Sequence, residues 1–158
     1  MNTKTYTVTE AKRKIEQYCV YQDRCHKEVI SKLKEMRMIT LAIDDIILHL
    51  IEHDFLNEER FAKSFARGKF NIKHWGRNRI INELKFREIS SYNIKTALQE
   101  FSEEEYYTKL DVIALRKFES IKEPNKYKKR KKLADYLLYR GWESHLVYEK
   151  TKTLIPYN

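Results

Sequence analysis

Glycine, proline and cysteine are nearly missing from this chain of 158 residues, which holds 3 Gly, 2 Pro and 2 Cys. At average usage of roughly 7% Gly and 5% Pro, a chain of this length would carry about 11 and 8. Sheets need turn residues every few positions, so the scarcity excludes a sandwich, a barrel or a Rossmann-type fold. Long helices joined by short connections remain. Cys19 and Cys25, with five residues between them, fit neither a disulfide framework nor a CxxC site. Two reduced thiols in a cytoplasmic protein are the expectation. Long apolar runs are missing as well: no stretch of more than six residues is free of Asp, Glu, Lys and Arg, which excludes a transmembrane helix and a membrane partner. The start, Met1-Asn2-Thr3-Lys4, lacks the apolar stretch of a signal peptide. There is no Gly-rich phosphate loop, no GKS or GKT, no G-x-S-x-G and no Cys–His set at ligand spacing. The chain is therefore expected to have no catalytic residues, no metal and no cofactor.

What is present is charge, and its placement matters more than its net value of +9. Residues 1–62 sum to −1, 63–87 to +7 (8 basic, 1 acidic), 88–108 to −4, 109–132 to +7 (10 against 3), and 133–158 to zero. Two basic blocks thus hold more than the whole excess. That distribution points to a polyanion or an acidic protein surface met by particular segments.

Helix starts reveal a repeat. Thr7-Val8-Thr9-Glu10 and Ser102-Glu103-Glu104-Glu105 are capping boxes, in which the hydroxyl accepts from the backbone three residues on. Asn57-Glu58-Glu59 supplies an N-cap with two carboxylates in the first turn, where the helix dipole favours them. Leu56 and Phe101, each before its cap, can staple onto Phe61 and Tyr106. The apolar set Ala11, Ile15, Tyr18, Cys19 corresponds to Tyr106, Leu110, Ile113, Ala114, whereas the middle stretch has Phe61 and Phe65 and then Gly68-Lys69, which predicts a helix that ends early. Second helices follow, with apolar residues at i, i+1 and i+4: Val29, Ile30, Leu33; Ile80, Ile81, Leu84; Leu133, Ala134, Leu137. Each then reaches a large apolar turn residue: Ile39, Ile89 and Trp142. Closing helices carry Ile43, Ile46, Ile47, Leu50; Ile94, Ala97, Leu98; and Leu146, Val147, Thr151, Leu154. The fold class predicted is all-α: three tandem three-helix repeats in an elongated, curved array, over 1–56, 57–101 and 102–158. A monomer is expected, because no apolar stripe is left over.

The run Phe55-Leu56-Asn57-Glu58-Glu59-Arg60-Phe61-Ala62 resembles the opening of the central repeat of the RecX family of bacterial recombination regulators. Trp75-Gly76-Arg77-Asn78-Arg79-Ile80-Ile81-Asn82-Glu83-Leu84 is similar to that family's G-x-x-R-I-x-x-E-L helix, and Arg140-Gly141-Trp142 to its [KR]-G-[FW] turn. Arg37-Met38 and Arg87-Glu88 lack the Gly of that turn, so those two turns are expected to be built differently. The resemblance implies an all-helical, non-enzymatic protein that binds the RecA–DNA filament. It further implies lodging in the filament groove, contact with DNA as well as RecA, and inhibition of ATP hydrolysis, strand exchange and LexA-type coprotease activity in DNA repair and the SOS response.

Candidate contact residues come from the two basic blocks. The first offers Arg67, Lys69, Lys73, Trp75, Arg77, Arg79, Lys85 and Arg87, in which Arg can bind phosphate or carboxylate bidentately. Gly68 and Gly76 bracket a segment that could approach a partner's backbone closely. The second offers Lys126, Lys128, Lys129, Arg130, Lys131 and Lys132 at a helix start, where cations oppose the dipole and a polyanion would relieve them. His49-Leu50-Ile51-Glu52-His53 matches H-x-x-E-H but falls on a closing helix without a third ligand or a cleft, so it is not taken as a zinc site. Its histidines are expected on the polar side with Asp45 and Glu52. Arg60 is expected to pair with a carboxylate rather than a partner. The competing reading is a helical DNA-binding protein that acts without RecA.

Overall fold

The computed structural model describes residues 4–157, and among them the chain is entirely helical, without a strand. In order come α1 (Val8–Tyr21), α2 (His26–Glu35), α3 (Thr40–Glu52), α4 (Glu58–Ile72), α5 (Arg77–Phe86), α6 (Ser91–Ala97), a 3-10 turn at Leu98–Glu100, α7 (Glu103–Ser120), α8 (Lys126–Tyr139) and α9 (Ser144–Leu154). The local start signals act as read. Thr7 Oγ1 accepts from the Glu10 amide at 3.1 Å, Ser102 Oγ from Glu105 at 3.0 Å, and Asn57 Oδ1 from Arg60 at 2.9 Å. The Phe101–Tyr106 staple is stacked, with centroids 5.7 Å apart. No helix among the described residues is long and apolar enough to cross a membrane.

The chain divides into two compact units. The first holds the residues up to Ser64 together with Leu84–Thr96. Here α1, α2 and α3 pack on one another and bury Ala11, Ile15, Cys19, Val29, Leu33, Met36, Ile43, Ile46, Leu50 and Leu56. Each Leu or Ile so buried contributes about 1.5–3 kcal/mol. Arg60 ties this unit by donating to Asp23 at 2.9 Å, to Asp54 at 3.1 Å, and to the carbonyls of Asp54 and Phe55. Burial pushes the thiols of Cys19 and Cys25 up to about 11, so both are protonated and unreactive near neutral pH.

The second unit holds Phe65–Glu83 and the residues from Ala97 on. Its helices α7, α8 and α9 pack on one another, and its core is aromatic. Phe70 stacks on Phe101 at 4.1 Å, and Tyr106 lies 4.5 Å from Trp142 between ring centroids. The Trp142 indole donates to the His74 carbonyl at 3.1 Å. The Tyr106 hydroxyl donates to Glu143 and accepts from the Arg77 amide at 2.9 Å, which leaves this buried phenol satisfied.

Three expectations are overturned. First, α4 does not stop at Gly68 but continues to Ile72. The cost of one mid-helix Gly, about 1 kcal/mol, is outweighed by burial of Ala62, Ala66 and Phe70 along one face. Second, the turns at Arg37 and Glu88 are built like that of Gly141, not differently. All three adopt left-handed φ, of 62°, 61° and 92°. All three also close the same bond pair: Arg37 to the Lys34 carbonyl and Met38 to Leu33, Glu88 to Lys85 and Ile89 to Leu84, Gly141 to Leu138 and Trp142 to Leu137. The residue that turns inward after α2 is therefore Met38, while Ile39 is 69% exposed. Third, His49 does not sit with Glu52 on a polar face. Its Nε2 meets Glu16 of α1 at 2.9 Å, and His53 caps α3 with its ring 4.3 Å from that of His49. No group of three or more His, Cys, Asp or Glu suited to a metal occurs among the described residues.

Candidate functional site

The sequence-derived contact residues fall into both units. Lys85 and Arg87 belong to the first, Lys85 exposed at the end of α5 and Arg87 half-buried beside Tyr18, Lys27 and Phe86. Arg67, Lys69, Lys73, Trp75, Arg77, Arg79 and the whole second block belong to the second unit, and there they separate by what they touch.

Arg77 is committed inside the unit. Its guanidinium pairs with Glu103 at 2.6 Å and Glu143 at 3.1 Å and lies 3.8 Å from the Tyr106 ring centroid. Arg67 pairs with Glu100 at 2.5 Å. In the second block Lys131 pairs with Asp135 at 2.9 Å and Lys132 with Glu123 at 3.5 Å. Lys129 lies over Phe118 at 4.1 Å, and Arg130 over Tyr157 at 4.1 Å with a bond to the Ile155 carbonyl at 3.3 Å. Lys73, Lys126 and Lys128 are exposed, with no ion pair among the described residues.

A continuous feature emerges around Trp75. The α4–α5 connection passes through His74 at φ 58° and places the indole 6.2 Å from Phe65, edge to face. The Lys69 ammonium sits 5.4 Å from Phe65 and 5.0 Å from Trp75. On the other side, the Arg79 guanidinium lies between Trp75 at 4.2 Å and Tyr139 at 4.7 Å, and donates to the Tyr139 carbonyl at 3.3 Å. Each such cation–ring contact is worth about 0.5–1 kcal/mol when exposed. The effect is to hold a full positive charge at the surface without a carboxylate neutralising it.

The close approach that makes this row possible involves the two glycines Gly76 and Gly141. The Gly76 amide donates to the Arg140 carbonyl at 2.8 Å and the Asn78 amide to the Gly141 carbonyl at 2.9 Å. A Cβ on Gly76 would lie 2.6 Å from the Gly141 oxygen and the Trp142 nitrogen. The tight approach expected of Gly76 is thus used within the unit rather than against a partner, and Gly68 faces open space.

From Tyr139 the row runs into a groove of about 670 Å³ between α7 and α8, lined by Lys117, Lys122, Lys132, Tyr136, Tyr139 and Arg140 among others. Tyr136 is covered by Arg140 at 3.9 Å and Lys117 at 4.8 Å. The start of the second block lies at the other end of α8 from Tyr139, thirteen residues or roughly 20 Å away, so Lys126 and Lys128 do not join the Trp75 row directly. Tyr136, Tyr139, Arg140 and Lys117 were missed by reading charge blocks alone. The signal was available: Lys132, Tyr136, Tyr139 and Arg140 repeat at i, i+4, i+7 and i+8, a helical stripe outside the buried face.

Family models match two stretches: "RecX, second three-helix domain" over residues 57–98 and "RecX, third three-helix domain" over 103–150. The chain is 32% identical over 124 residues to a protein named Regulatory protein RecX from Finegoldia magna, covering 77% of this chain and 60% of that one. A Regulatory protein RecX from Chlorobium phaeobacteroides is 30% identical over 128 residues, covering 81% of this chain and 82% of the relative. The chain spans 60% of the Finegoldia protein and 64% of a namesake from Clostridium acetobutylicum. In fold it is similar to the crystal structure of RecX from Lactobacillus salivarius, with a TM-score of 0.79, 23% identity and coverage of 93% and 96% of the two chains.

Proposed function

The chain belongs to the RecX family, and on that premise we propose that it is a non-enzymatic regulator that binds a RecA–DNA filament and inhibits RecA's ATP hydrolysis, strand exchange and coprotease activity. The relatives' shared name, Regulatory protein RecX, supports the regulatory part of this reading. The observation that carries the contact surface is the row Lys69–Trp75–Arg79–Tyr139, where aromatic faces rather than carboxylates hold the cations. A salt-bridged cation must first break its pair to meet a partner, whereas these remain available to a phosphate or an acidic side chain. Lys73, Lys126 and Lys128 add exposed charge on the same unit. Arg77 and Arg67 act in this reading as internal ties. The division into three repeats, 1–56, 57–101 and 102–158, is part of this proposal.

The test is a pair of folded variants. Lys73→Glu with Lys126→Glu and Lys128→Glu changes exposed lysines only, and Arg79→Gln removes the held charge. Both are expected to raise the concentration needed to inhibit RecA ATPase, with helical content unchanged. Full inhibition by both variants would overturn the surface assignment. Retention on bare DNA with no effect of added RecA would instead favour a RecA-independent DNA-binding protein.

A further inference from the structure

A second groove in the same unit, of about 490 Å³, lies between the end of α4 and α7, and no part of the proposed filament surface lines it. Its floor is apolar, from Phe70, Val112 and Ile113. On α7, Glu105, Lys109, Val112 and Arg116 follow at i, i+4, i+7 and i+11 and so share one face. At one end, Lys109 Nζ stands 3.4 Å from His74 Nδ1 and 4.9 Å from the Phe70 ring, with Arg116 two turns further along. No carboxylate pairs with Lys109 or Arg116 among the described residues. The other end is acidic, with Glu104 and Glu105 beside Ser102.

We propose that this groove binds a peptide segment of a protein partner, seating an acidic side chain at His74, Lys109 and Arg116 and a neighbouring apolar side chain on Phe70, Val112 and Ile113. Lys109 and Arg116 carry their charge beside the His74 imidazole without a bonded carboxylate, an arrangement that an incoming carboxylate relieves. The proton affinities of His74 and Lys109 are both lowered, chiefly by burial. Burial first, then Lys109, Arg116 and Arg140, holds His74 below its usual value, and burial with Arg116 does the same to Lys109. A nucleic-acid strand fits less well, because its uniform negative charge would run over Glu104 and Glu105. A peptide meets both ends when its acidic residue is followed by an apolar and then a neutral or basic one. The apolar floor adds burial for a leucine- or phenylalanine-sized group.

The experiment titrates the full 158-residue chain with the blocked peptide acetyl-Glu-Leu-Lys-amide, read by NMR at backbone amides and at the His74 imidazole. Two other arms use acetyl-Gln-Leu-Lys-amide and a short oligodeoxythymidylate. The acidic peptide is expected to move the amides of Asn71, His74, Lys109 and Val112 and to raise the imidazole pKa. Arg116→Gln, at an exposed position, is expected to weaken binding by about tenfold with the remaining spectrum unchanged. Lys109→Met is the second variant, with the same expected direction. Equal binding of the glutamine peptide, undiminished binding by Arg116→Gln, or shifts in these amides with the oligonucleotide alone would each overturn the proposal.

Discussion

Replacing Gly76 by alanine tests how the second unit is assembled. The added Cβ would lie 2.6 Å from the Gly141 oxygen, 2.6 Å from the Trp142 nitrogen and 2.7 Å from the Gly141 carbon. All three are backbone atoms, and the approach is equally close from the other side, since a Cβ on Gly141 would lie 2.3 Å from the nitrogen and Cβ of Arg79. The two segments must therefore separate. Overpacking of this kind costs about 1–3 kcal/mol. Separation also stretches two backbone hydrogen bonds, from Gly76 to Arg140 at 2.8 Å and from Asn78 to Gly141 at 2.9 Å. Each is worth about 1 kcal/mol. The expected loss is about 3–5 kcal/mol, a large share of a typical stability of about 5–15. Urea unfolding followed by circular dichroism measures it, with Gly68→Ala as the internal comparison. That site is helical and open, so alanine there is expected to stabilise by about 0.5–1 kcal/mol. If Gly76→Ala cost less than about 1 kcal/mol, the close approach would not be a determinant of the fold.

Other perturbations test other parts. Arg37→Gly and Glu88→Gly are each expected to stabilise by about 0.5–1 kcal/mol in thermal or urea unfolding, because relief of left-handed strain exceeds the added freedom of the unfolded chain. Arg77→Gln is expected to destabilise by about 1–3 kcal/mol, below the cost of breaking a wholly buried pair because the Glu103 side chain is 71% exposed and screened. Cys19 and Cys25, buried and held near pKa 11, should resist a thiol reagent at neutral pH until the chain is unfolded, and rapid labelling of the native protein would contradict their burial. His74 titrates below its ordinary value of 6.5, so the unfolded chain takes up this proton at higher pH than the folded one. Its contribution to stability is therefore full above pH 6.5 and is lost as pH falls from there through the folded value, and His74→Asn should remove that slope in a pH series of urea midpoints.

Helix existence and the buried faces were legible in the sequence because their determinants are local. Thr7, Asn57 and Ser102 cap the helices they were read to cap, and the triplets ending at Leu33, Leu84 and Leu137 point inward. Sequence signal and structure part where tertiary packing outweighs propensity. Gly68 signals a helix end, yet the buried stripe Ala62, Ala66, Phe70 carries α4 past it. Arg37 and Glu88 look unsuited to a left-handed turn, yet turning Met38 and Ile89 inward over α2 and α5 demands that conformation. The charge blocks located the candidate surface but did not rank its members. Arg77 is paired with acids 26 and 66 residues away, and Arg79 is held by a tyrosine 60 residues away. Those partnerships follow from how α5, α7 and α8 pack, so no local spacing announces them.

The proposed target is a RecA filament rather than DNA alone. The most direct test compares the affinity of the chain for a RecA filament on single-stranded DNA, formed with a slowly hydrolysed ATP analogue, with its affinity for the same DNA bare and at the same salt. Tighter binding to the filament, weakened by Arg79→Gln, is the predicted result. Equal or tighter binding to bare DNA, with a steep salt dependence and no change on adding RecA, would contradict it.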